Sequence, residues 1–92
     1  MGQKGELEQK QAALEDEIRR LEGDISWLED NNAADERMLK TGRSPHGPLE
    51  ATYRRKLENS VRERNAQIKK NEERLSKAEA ELKDVRGALG AS

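Results

Sequence analysis

A chain of 92 residues in which 40% are charged and 32% hydrophobic has too little apolar material for a thick globular core, but enough for one apolar seam along each of two helices. One Trp, one Tyr and no Phe exclude an aromatic core, the lack of Cys excludes disulfides and thiolate metal sites, and no apolar run approaches the roughly 20 residues of a membrane span. The net charge of −1 conceals an asymmetry: residues 1–35 carry four basic and ten acidic side chains (net −6), residues 36–64 eight and four (net +4), and residues 65–92 six and five (net +1).

Residues 1–5 read as a disordered or appended end, and the spacing predicts helix one over 6–40. Leu7, Leu14, Ile18, Leu21, Ile25, Leu28 and Leu39 recur at 4-3 intervals. Ile18 and Ile25 take heptad a positions and Leu7, Leu14, Leu21 and Leu28 take d, with Gln11 and Asn32 as polar residues at a. Glu6/Lys10, Glu15/Arg19, Asp16/Arg20 and Glu36/Lys40 are i,i+4 pairs in the favourable order, each adding ~0.2–0.5 kcal/mol.

Residues 41–48, Thr41-Gly42-Arg43-Ser44-Pro45-His46-Gly47-Pro48, read as the turn. Gly42 suits the left-handed position that ends a helix, and Ser44 before Pro45, or Gly47 before Pro48, is a start signal for the next one. Helix two is expected over 49–86, with 87–92 frayed. Its seam is Leu57, Val61, Arg64, Ile68, Asn71, Leu75, Ala78, Leu82, Val85 and Leu89.

The fold class expected is all-α, an antiparallel two-helix coiled-coil hairpin. Leu7/Leu82, Leu14/Leu75, Leu21/Ile68 and Leu28/Val61 share one constant residue-number total, 89, whose midpoint falls in the 41–48 turn; these eight residues are the expected hairpin core. The same register sets Ile18 against Asn71 and Ile25 against Arg64, which is poor pairing. Self-association through those isoleucines, as a four-helix bundle or a parallel homodimer of helix one, is the structural alternative.

No catalytic constellation is visible, and the chain is read as a non-enzyme without cofactor or metal. His46 is the one histidine and sits in the Pro/Gly turn; no HExxH, Walker A loop or GxGxxG occurs. Arg54, Arg55, Lys56, Arg62, Arg64, Lys69, Lys70 and Arg74 raise a nucleic-acid reading, and Arg62-Glu63-Arg64-Asn65 faintly resembles a bZIP basic region. Ile68 then stands where a small residue should approach the groove, Glu72 and Glu73 stand where arginines should meet phosphates, and eight acidic residues between Glu50 and Asp84 repel the backbone. Nucleic acid is therefore not the expected partner.

Trp27, at heptad position c, lies off the seam and is a candidate interface anchor. Leu49 and Tyr53 also lie off the seam, beside the basic residues Lys40, Arg43, Arg54 and Arg55. These seven are the candidate protein-binding residues. Three functions compete: a signalling interaction module, a structural coiled coil that dimerises or spaces larger domains, and a helical arm on RNA or RNA polymerase. A cytoplasmic location is expected.

Leu7-Glu8-Gln9-Lys10 with Leu14 and Glu17-Ile18, then Gly47-Pro48-Leu49-Glu50 at the turn and the run from Leu75 to Leu82, resemble the antiparallel coiled-coil finger of Rho-family effectors. Such fingers occur in F-BAR actin-assembly adaptors, the nearer likeness, and in protein-kinase-C-related kinases. The resemblance spans about residues 6–85. It implies a small-GTPase effector that binds the GTP-loaded form of a Rho-family protein by reading its ordered switch loops.

Overall fold

Neither long apolar repeat contains a proline, and both prolines fall between them. Helix propensity and the heptad seam therefore run unopposed on each side of a single break. The computed structural model describes residues 2–91. It is an all-α antiparallel hairpin: α1 spans Gly2–Thr41 and α2 spans Ala51–Ala91, joined through two-residue strands β1 (Arg43–Ser44) and β2 (Gly47–Pro48).

Both helices run further than their repeats alone foretell. α1 passes through residues 2–5 and α2 through 87–91, segments expected to fray, and Leu7 and Leu89 anchor that end by packing on the core. Met1 and Ser92, also within those expected ends, lie outside the described residues. The prolines do not start α2 as expected. They sit in and beside the β1–β2 ladder, and α2 begins at Ala51 rather than 49, its first bond running from the Arg54 N–H to the Glu50 carbonyl at 2.8 Å.

The contacts group into two units, Met1–Asp24 with Asn71–Ser92, and Ile25–Lys70. In the first, the open-end unit, Leu14, Ala78, Leu82 and Val85 form a buried cluster on which Leu7, Ile18 and Leu89 pack. Leu21 and Asn71 are also buried there. Glu15 pairs with Arg86 at 3.5 Å and Glu17 with Arg74 at 3.6 Å along its flanks. On the outside, Arg20 and Asp16 lie 2.6 Å apart, and the hydrogen bond with Arg20 holds the Asp16 carboxyl below the usual carboxylate range.

The turn unit is more polar inside. Ile25 and Leu57 are buried, whereas Leu28, Val61 and Ile68 are half-buried. Asn32 is buried and its Nδ2 donates to Asn65 Oδ1 at 2.7 Å, leaving Asn32 Oδ1 without a partner among the described residues. The Arg64 guanidinium donates to Asp35, both side chains being largely withdrawn from solvent.

These contacts correct the expected register. With Leu28 opposite Val61, Asn32 would face Leu57; Asn65 would then lie eight residues away, about 12 Å along the helix. With Leu14 opposite Leu75, Glu15 could not reach Arg86. The adopted pairing is displaced by about one heptad, so Leu14 sits with Ala78, Leu82 and Val85. A heptad repeat aligns its apolar layers equally well in either register, and the polar residues decide between them. The displaced pairing gives Arg64 a carboxylate instead of Ile25, and Ile18 an apolar cluster instead of Asn71. Of the expected core, Leu14, Leu21 and Leu82 are buried, while Leu7, Leu28, Val61, Ile68 and Leu75 are half-buried. The isoleucines expected to meet a second copy are taken up within the hairpin, Ile25 being 9% exposed.

Candidate protein-binding site

The turn is built by backbone chemistry that its residues dictate. Gly42 adopts φ 70° and its N–H bonds the Met38 carbonyl at 2.8 Å, the left-handed cap expected at the end of α1. Thr41 Oγ1 donates to the Arg37 carbonyl at 3.0 Å, which satisfies another terminal acceptor. Ser44 Oγ accepts the His46 N–H at 3.2 Å and donates to the Gly47 carbonyl at 3.2 Å. Gly47, with φ 124°, occupies a conformation that side chains resist, and Arg43 then pairs with Pro48 and Ser44 with Gly47. The Leu49 N–H closes the loop on the Gly42 carbonyl at 3.0 Å.

This geometry separates the candidate residues into two grooves. Met38, Ser44, Pro45, His46, Pro48, Glu50 and Tyr53 line an open groove of about 600 Å³. Leu49, Arg54 and Arg55 line another of about 390 Å³, with Ala51 and Glu58. The Arg54 guanidinium lies against Gly42, where an added Cβ would meet it at 3.4 Å. Lys40 and Arg43 are exposed at the end of α1 and in β1. None of Lys40, Arg43, Arg54 and Arg55 is ion-paired among the described residues, so four cations are left to solvent around the turn.

Trp27 lines neither groove. It is 64% exposed and lies eleven residues before Met38, about 16 Å along α1. The sequence reading passed over Met38, Pro45 and Pro48 as binding residues and took His46 as a solvated turn residue. The available signal was a proline on each side of His46-Gly47, two apolar rings held by one tight turn next to an off-seam Met and Tyr.

No described helix is long and apolar enough to cross a membrane, and no group of three or more His, Cys, Asp or Glu among the described residues is placed to hold a metal ion. The fold and surface define a charge-rich helical hairpin with an apolar, cation-rimmed turn. No family model, curated protein or solved structure matches the chain.

Proposed function

We propose that this chain is a non-enzymatic interaction module that presents its turn unit to another protein. The observation that carries this reading is the placement of its only two aromatic side chains. Trp27 and Tyr53, 64% and 43% exposed, are both left out of the core and both lie in the unit Ile25–Lys70. A helical scaffold that needed them for stability would bury them; exposed aromatics in the unit that also carries the unpaired cations suit a protein interface. The partner class proposed from the sequence resemblance is a GTP-loaded Rho-family GTPase. The cations at Lys40, Arg43, Arg54 and Arg55 would then steer an acidic surface, and Tyr53 and Leu49 would supply buried area.

Titration against GTP-analogue-loaded and GDP-loaded Rho-family proteins tests this partner. Preference for the GTP form is expected. Reversing charge at Arg54 and Arg55 together should slow association about tenfold at low salt with helix content retained, because exposed cations act mainly on encounter. Equal affinity for both forms, or none at high concentration, would favour the alternative of a structural coiled-coil spacer.

A further inference from the structure

Cations gather at the end of the unit Ile25–Lys70 where the turn lies. Arg37, Lys40, Arg43, Arg54, Arg55 and Lys56 are all exposed, and none is ion-paired among the described residues. Residues 37–56 hold one carboxylate, Glu50, and the next ones back along α1 and α2 are Glu36 and Glu58. At 1.5 Å per residue, the five cations on the helices start within about 8 Å of the helix ends. They are not collected on one face. Around α2, Arg54 lies about 60° from buried Leu57, Lys56 about 100° to the other side, and Arg55 about 160° away, at the back. A partner seated in either groove therefore meets only some of them. A surface laid across the end meets them all, because Lys and Arg carry their charge at the tip of a long stem. The Arg54 guanidinium is already turned that way, lying against Gly42, the residue after α1.

Ahead of the cations stands the turn itself. Pro45 and His46 are exposed at its apex, beyond the Ser44–Gly47 pair, and Pro48 and Tyr53 are exposed just behind them. We propose that this end docks turn-first on an anionic lipid bilayer. Pro45, Pro48 and Tyr53 enter the headgroup layer, and the surrounding cations lie on the lipid phosphates and carboxylates. The order of the groups favours a bilayer over an acidic protein. Apolar rings stand foremost and cations ring them from behind on all sides. A bilayer is layered in the complementary order, with its charge outermost and its apolar layer beneath. Tyr53, with an apolar body and a polar tip, suits that boundary. This goes beyond the protein-binding reading and does not rest on it, since the ligand is a lipid surface and the whole end of the unit, not one groove, receives it.

Co-sedimentation of the full chain with phosphatidylcholine vesicles containing about one-third phosphatidylserine tests this. The chain should bind them, bind pure phosphatidylcholine far less, and lose at least about tenfold in partition between about 0.1 and 0.5 M salt. Arg54→Ala with Arg55→Ala should weaken partition at least about tenfold, since each cation near such a surface is worth a factor of about five. Lys40→Ala with Arg43→Ala, on the other arm of the turn, should do the same, and both variants should keep their helix content. Trp27 reports the orientation. It lies fourteen residues before Thr41, about 21 Å back along α1, so vesicles should leave its emission unmoved. His46→Trp in a Trp27→Phe background should shift to the blue. Equal partition with and without phosphatidylserine, no partition at millimolar lipid, full binding by both double variants, or a shift at Trp27 but not at position 46 would each overturn the proposal. Tighter binding to polyglutamate or to duplex DNA than to the vesicles would overturn it in favour of an acidic protein or a nucleic acid. A chain that binds a GTP-loaded GTPase but no vesicle would overturn it alone. Vesicle binding with no GTPase binding would support it and remove only the GTPase assignment.

Discussion

Asn32 and Arg64 are polar residues at seam positions, where a leucine would contribute more to stability. Asn32 bonds Asn65 and leaves its own Oδ1 without a partner among the described residues, and Arg64 donates its hydrogen bond to Asp35 inside the same unit. Each pairing exists only in the register adopted. The cost of burying them is the physical source of that register's uniqueness, as a single buried Asn fixes register in other coiled coils. Removing one partner should show it. Arg64→Ala strands the Asp35 carboxylate, whose side chain is only 15% exposed, and should destabilise the fold by about 2–3 kcal/mol. Adding Asp35→Leu should recover much of that loss, because both partners are then gone. Urea unfolding of the two variants measures this, and additive losses would show that the pair is not coupled.

At the scale of the element, two glycines make opposite demands. Gly23 lies within α1 with open space where a Cβ would stand, so Gly23→Ala should stabilise the chain by about 0.5–1 kcal/mol. Gly42 sits at φ 70° with the Arg54 guanidinium beside it, so Gly42→Ala should cost about 1–2 kcal/mol, a fall of roughly 4–16 °C in melting temperature for a domain of this size. Thermal melts followed by circular dichroism read both. Gly42 was legible in the sequence because a glycine after the last periodic residue has one structural use there. The prolines were less legible: Pro45 and Pro48 fit a helix start as well as a strand edge, and what selects the ladder is Ser44 bonding both His46 and Gly47, a pattern of three side-by-side groups that no single residue announces. The two helices followed from periodicity, and the break from two prolines and two glycines within residues 41–48. The register did not, because a heptad slip preserves every apolar alignment and only long-range polar pairs such as Asp35–Arg64 distinguish the alternatives. Trp27 and Tyr53 could be seen to lie off the seam, but the groove that Tyr53 shares with Met38 and the prolines depends on the folded turn.

For the molecule as a whole, the two units carry their apolar burial unequally. The open-end unit holds the continuous cluster of Leu14, Ala78, Leu82 and Val85, whereas the turn unit is held by Ile25 and Leu57 around a polar centre at Asn32. Leu82 is 6% exposed within that cluster, so Leu82→Ala should cost about 2–5 kcal/mol through lost burial and the cavity left behind. A hairpin with one seam has little margin, and total stabilities of about 5–15 kcal/mol are typical even of full domains. The loss should fall first on the unit that contains the cavity. Hydrogen exchange of Leu82→Ala should therefore show amides in residues 2–24 and 71–91 exchanging faster than in the parent, while those in 25–70 keep more of their protection, because contiguous contact units open as groups. The turn unit carries both exposed aromatics and the unpaired cations, so binding at the turn should outlast the open-end helices in this variant. Uniform loss of protection along both helices would show instead that the hairpin opens as one cooperative unit, and binding would then fall in step with helix content.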